Sequence, residues 1–158
     1  MKYTITSLFA IICLVGCAHN STTVLATTKI NGPKTIALDA PREPWVIQVE
    51  TRLRDLGFKV TRRSANRRIT ETTGPGRSET SDGNGARYLL VLSGQAPLDA
   101  MHRCFGGGFK FDFVTAEVID QETDATLVNV NGAGYSEGCQ PMSGTLFMDI
   151  ATAVNKLW

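Results

Sequence analysis

The stretch Ala86–Gly94 (ARYLLVLSG) constrains the fold of this chain most. Tyr88 to Leu92 is continuously apolar and is closed by Ser93-Gly94. A short apolar run bounded by small and polar residues is a strand, and apolar side chains on both its faces need cover on both. The rest of the chain must therefore build a sheet around this strand and supply a layer that packs on it.

The flanking segments supply those parts. Lys34 to Asp39 (KTIALD) has Ile36 and Leu38 on one face and predicts a first strand, after the break at Asn31-Gly32-Pro33. Pro41 and Pro44 permit a helix start. From about Glu43 to Leu56, Trp45, Val46, Val49, Leu53 and Leu56 recur at helical spacing, and Gly57 is the expected stop. Phe58 and Val60 begin a second strand. Phe109, Phe111 and Phe113 alternate with Lys110 and Asp112, and Thr126 to Tyr135 returns with Val128 and Val130 on one face, which predicts a β-hairpin turning at Asp120–Ala125. Leu146, Phe147, Ile150, Ala151, Val154 and Leu157 form the stripe of a last helix from about Ser143 to Trp158, with Ser143 as its expected cap. The expected fold is α+β: a mixed or antiparallel sheet of about five strands with two helices on one face, in the order β-α-β-β-β-β-α.

The N-terminus carries a different signal. Lys2 precedes an apolar stretch from Ile5 to Val15, shorter than the roughly 20 residues a membrane-spanning helix needs. It has the length of a signal-peptide core. Leu14-Val15-Gly16-Cys17 ends it with a small residue before a cysteine, the pattern cleaved and lipidated in bacterial lipoproteins. Residues 1–16 are thus expected to be a signal peptide. Residues 17–29, which include the Ser/Thr-rich AHNSTTVLATT, are expected to be a lipidated N-terminus and flexible tether, and 30–158 a single periplasmic domain. Ala18, where lipoproteins kept in the inner membrane tend to have Asp, implies the outer membrane. Losing Lys2 leaves 15 basic and 15 acidic residues, a balance that argues against nucleic acid as a partner.

The same cleavage simplifies the cysteines. Cys13 leaves with the signal and Cys17 takes the lipid, so Cys104 and Cys139 remain as a pair in an exported protein and are expected to form a disulfide. The hairpin supports this pairing. If Ile119 faces Thr126, the register puts Phe109 opposite Ser136 and Cys104 opposite Pro141, close to Cys139. A bridge needs Cα atoms within about 7 Å.

Catalytic patterns are not found. The sequence has no nucleophile elbow and no phosphate-binding Gly-Lys-Ser/Thr loop. Gly106-Gly107-Gly108 lacks the dinucleotide fingerprint and is expected to be a flexible entry to the hairpin. Asp120, Glu122 and Asp124 lack the glycine and distal glutamate of a calcium loop and are expected to be a solvated turn. His102, Cys104 and Cys139 lack a fourth ligand for zinc, and an oxidised pair could not ligate it. No enzyme activity, metal or cofactor is expected. The exposed feature with most chemistry is the segment 62–85, with Arg62, Arg63, Arg67, Arg68 and Arg77. Arginine forks match phosphates and carboxylates, so this is a candidate surface for an anionic lipid, polysaccharide or protein partner.

Three phrases together carry a resemblance. They are Leu53, Leu56, Gly57, Phe58 and Val60 at the end of the first helix; Ala86-Arg87-Tyr88-Leu89-Leu90-Val91; and a hairpin turning at Asp120 and Thr123 ahead of a final helix that ends near Leu157. Over about residues 34–158 the chain resembles a group of periplasmic outer-membrane lipoproteins that share a small α/β domain. The group includes the curli secretion channel subunit, the Pel-polysaccharide export lipoprotein and the lipoprotein activator of a penicillin-binding protein. The same domain forms the N-terminal part of the Tol-system propeller protein. The chain departs from the group at Thr123-Asp124, where such hairpins often have Thr-Gly. It also lacks the hairpins of a channel wall, and it has the Arg-rich segment where a helix is usual. The resemblance implies a lipid-anchored outer-membrane protein facing the periplasm, non-catalytic, that binds or assembles with an envelope partner as an export or secretion accessory, including as a homo-oligomer. The alternatives are a regulator of a cell-wall synthase or other envelope enzyme, and a protective, immunity-type lipoprotein.

Overall fold

The computed structural model describes residues 19–25, 29–63, 86–96, 104 and 106–158. Six strands and two helices follow one another as β1 (His19–Val24), β2 (Thr35–Asp39), α1 (Pro44–Asp55), β3 (Lys59–Arg62), β4 (Tyr88–Gln95), β5 (Lys110–Asp120), β6 (Ala125–Tyr135) and α2 (Leu146–Asn155). They form one sheet in the order β1-β6-β5-β4-β2-β3. β2 runs parallel to β3 and β4, while the β4–β5, β5–β6 and β6–β1 pairs are antiparallel. The sheet is mixed, and the fold class is α+β.

One difference lies at the N-terminal side. Residues 19–24, expected within the flexible tether, are the edge strand β1, with His19 opposite Ala133 and Val24 opposite Val128. An edge strand needs hydrogen-bonding groups on one side only. The β-branched Thr22-Thr23-Val24 favours an extended chain without any apolar alternation to announce it. The sheet thus has six strands where the alternation patterns announce about five.

Both helices pack on one face. Trp45, Val46, Val49 and Leu53 of α1 and Leu146, Phe147, Ile150 and Val154 of α2 are buried against Ile36, Leu38, Leu90, Leu92, Val118, Val128 and Val130 of the sheet. Burial of each such side chain contributes about 1.5–3 kcal/mol. Trp45 meets Phe111 edge-on at 5.4 Å, and Phe111 meets Phe147 at 5.8 Å, so an aromatic column joins the two helices to β5. The opposite face holds only a small apolar group, Ala37, Ala86 and Leu89, with Val91 packed against it. Leu90 and Leu92 thus belong to the main core, and their neighbours Leu89 and Val91 to the minor one. Gly57 stops α1 at φ +87°, as expected of a residue free of Cβ strain there.

The hairpin keeps its expected outer register, with Ile119 opposite Thr126 and Lys110 opposite Tyr135. Between them the register shifts twice, at Phe111/Val114 and at Val118/Ile119, and the two shifts compensate. The first has a consequence. Phe111 is buried, but the bulge hands the next core position to Val114 and leaves Phe113 exposed, against the strict alternation expected from sequence.

Candidate functional site

The topology gives the sheet two distinct ends. At the upper end β2, β3 and β4 finish, β1 and β5 begin, and both helices have their N-termini. At the lower end lies the β5–β6 turn, next to the start of β4 and the last turn of α2.

The upper end is stapled by Cys104 and Cys139, which are disulfide-bonded with Cα atoms 4.9 Å apart. Backbone packing around the staple is tight. A Cβ on Gly108 would come within 2.6 Å of Cys139 Sγ, and one on Gly138, itself at φ +81°, within 2.8 Å of Gly106 O. Gly106 and Gly108 are therefore required by close approach of two backbones and Gly107 by its φ of +82°, so the run is a tightly fitted turn where a flexible entry was expected. Ser136, fully buried, accepts a hydrogen bond at Oγ from Phe109 N–H at 2.9 Å and donates to Glu137 O at 3.1 Å.

Glu137 is a residue the sequence pattern did not single out. Its carboxylate accepts from Phe147 N–H at 3.1 Å and Met148 N–H at 2.7 Å, satisfying the first free amides of α2 and placing negative charge at the helix N-terminus. Ser143, the expected cap, instead accepts from Gly138 N–H at 3.1 Å, and α2 begins at Leu146. The signal for Glu137 was absent because the contact joins groups ten residues apart through a loop.

The arginine cluster is only partly within the described residues: Arg67, Arg68 and Arg77 lie outside them, as do Cys17 and His102. Arg62 donates from Nε and Nη2 to Glu50 Oε2 at 2.9 and 2.7 Å, and Arg54 takes Glu50 Oε1 at 2.6 Å. Burial pushes the Glu50 carboxyl up, but the bonds from Arg54 and Arg62 outweigh it, and its pKa lies below the ordinary value of 4.5. Arg62 is thus engaged within the domain. The Arg63 side chain is exposed, while its backbone N–H closes on Leu38 O at 2.8 Å. Beside Arg62, a shallow depression of about 430 Å³ is bordered by Arg42, Glu43, Pro44 and Ile47.

The lower end holds a forked ion pair. Arg87 forks onto Asp120, with Nε at 3.0 and 3.1 Å and Nη2 at 2.6 Å, and reaches Glu122 at 2.8 Å. Asp120 is only 5% exposed and also accepts from Glu122 N–H at 3.0 Å, so it is a buried anchor of the turn and not the solvated acid expected. The Arg87 bond holds its carboxyl below the ordinary value of 3.8 despite burial. Asp124 sits at φ +54°, a left-handed position that glycine adopts without strain. A second depression of about 480 Å³ lies here, between Lys29, Ile30, Arg87, Asp120 and Thr126.

Among the described residues no group of three or more His, Cys, Asp or Glu is arranged to hold a metal, and no helix is long and apolar enough to cross a membrane. Large apolar side chains are exposed mainly at the upper end: Ile47 at 58%, Phe113 at 45%, Met142 at 40% and Met148 at 39%. Val24 and Leu25 are the exposed counterparts at the lower end.

No family model matches the chain, and no curated protein matches it. Among solved structures, the PelC dodecamer from Paraburkholderia phytofirmans is similar at 16% identity, with a TM-score of 0.45 over 89% of this chain and 94% of that one. TolB from Acinetobacter baumannii is similar at 15% identity and a TM-score of 0.45, over 89% of this chain and 31% of that chain.

Proposed function

We propose that this chain is a non-catalytic lipoprotein of the bacterial outer membrane. Residues 1–16 are its signal peptide, Cys17 carries the lipid, and the domain, whose sheet includes β1 from His19, faces the periplasm. There it binds or assembles with an envelope partner, as an accessory to export or secretion. The observation that carries the compartment is the Cys104–Cys139 bridge, which persists only under oxidising conditions. It agrees with the export signal at Leu14-Val15-Gly16-Cys17, read from an unrelated part of the chain.

The accessory role rests on what the domain offers. Its chemistry is that of a surface: engaged ion pairs, two shallow depressions and exposed apolar side chains. In this reading Arg63, with Arg67, Arg68 and Arg77, faces anionic groups, whereas Arg62 serves the domain. Co-purification after cross-linking in intact envelopes tests it: a defined protein or polysaccharide partner is expected, retained by wild type and lost in a salt-sensitive way when Arg63, Arg67, Arg68 and Arg77 become Ala. Equal recovery from both proteins at every salt concentration would remove the arginine surface. Light scattering of the detergent-solubilised protein reads the oligomeric state.

A further inference from the structure

The start of β1 fixes which end of the domain meets the bilayer. We propose that the upper end of the sheet rests on the membrane, with Ile47, Phe113, Met142 and Met148 inserted among the lipids. This rests on the reading of Cys17 as the lipidated residue.

Two independent observations converge. The first is chain reach. His19 already pairs with Ala133 at the upper end, so two residue steps separate Cys17 from the sheet. They span about 7 Å at most, so the start of β1, at the upper end, is held next to the bilayer. The tether expected from the sequence would have let the domain stand off from the surface; the strand narrows that freedom. The second is where apolar surface is left uncovered. Ile47 and Met148 lie in the first turns of α1 and α2, Met142 lies in the loop that enters α2, and Phe113 is turned outward by the β5 bulge. These four come from four different elements, and each is 39% or more exposed. Unrelated segments have thus placed flexible methionines and large apolar groups at the same end. Arg63 and Lys110 stand at this end as well, suited to anionic headgroups, together with two exposed acids, Asp39 at the end of β2 and Asp112 in the bulge. A monotopic contact of this kind buries apolar side chains about 5–10 Å into the headgroup boundary.

The test uses the lipidated full-length protein in vesicles of phosphatidylethanolamine and phosphatidylglycerol, part of whose acyl chains are brominated. Phe113→Trp and Met142→Trp report the upper end and Leu25→Trp the lower, against the background of Trp45 and Trp158. Bromolipid should quench the added emission of the two upper-end variants about twofold and leave that of Leu25→Trp unchanged. Equal quenching of all three, or stronger quenching of Leu25→Trp, would overturn the assignment. So would upper-end tryptophans that are shielded from aqueous iodide yet untouched by bromolipid, since another protein surface would then cover them. Mass analysis of the same samples separates the two readings. An unmodified Cys17 would overturn both, whereas a lipidated Cys17 with unquenched upper-end tryptophans would overturn this inference alone.

Discussion

At the scale of single residues, the two ends of the hairpin show how local geometry selects side chains. Asp124 occupies a left-handed position that costs a non-glycine residue energy, so Asp124→Gly is expected to be neutral to stabilising, by up to about 1 kcal/mol in urea unfolding. Gly108→Ala should do the opposite. Its methyl would collide with Cys139 Sγ and Glu137 O, and a loss of about 1–3 kcal/mol is expected, with faster reduction of the bridge as a second readout. Asp120 sets the pH response. Its folded-state pKa is depressed, so the stability it contributes is fully present above its unfolded value near 3.8 and is lost as pH falls through the lower folded value. Glu50, also depressed, acts in the same direction. Thermal midpoints measured from pH 7 down to pH 2 should therefore fall on the acid side, and Asp120→Asn should flatten that fall. An unaltered slope would show that the Arg87 pair does not stabilise the fold.

At the scale of elements, what the sequence made legible followed from periodicity. Both helices and the hairpin have apolar stripes at spacing 3.6 or 2, because each buries one face against a shared core, and the central strand is apolar throughout because it meets an apolar group on each face. The features that escaped depend on contacts which periodicity does not encode. β1 was hidden because a polar edge strand is held by backbone hydrogen bonds and shows no apolar alternation. The compensating register shifts in the hairpin, and with them the exposure of Phe113, leave no mark on a sequence in which three phenylalanines alternate evenly. Glu137 was hidden because it caps a helix it does not belong to. The Cys104–Cys139 staple was within reach, since the hairpin register could be extrapolated to the cysteines. Two measurements belong at this scale. Glu137→Ala should cost about 1–2 kcal/mol by leaving the first amides of α2 without their carboxylate, and Glu137→Gln less, because one acceptor remains. Hydrogen exchange should find the amides of β1 that pair with β6 protected well beyond those of a tether. Exchange at the free-chain rate would return residues 19–24 to the role first expected of them.

At the scale of the whole molecule, the domain is a two-layer sandwich closed at its upper end by a covalent bond. Reducing Cys104–Cys139 should lower stability by about 3–4 kcal/mol in the chain-entropy account, because the bridge closes a long loop that the folded core alone must otherwise hold. Lys34 joins the lower end by linking Asn155 Oδ1 at 2.7 Å and Leu56 O at 3.1 Å, so the ends of both helices are tied to the start of β2. A domain fastened at both ends suits a scaffold held at a surface. The proposed role depends above all on the anchor: without it neither the compartment nor the orientation of the sheet follows. The most direct measurement is therefore the mass of the N-terminal peptide of the protein purified from the outer-membrane fraction. The account predicts a chain that begins at Cys17 and carries a diacylglyceryl group and an acylated amine. A peptide that retains residues 1–16, or a chain whose Cys17 is unmodified, would contradict it.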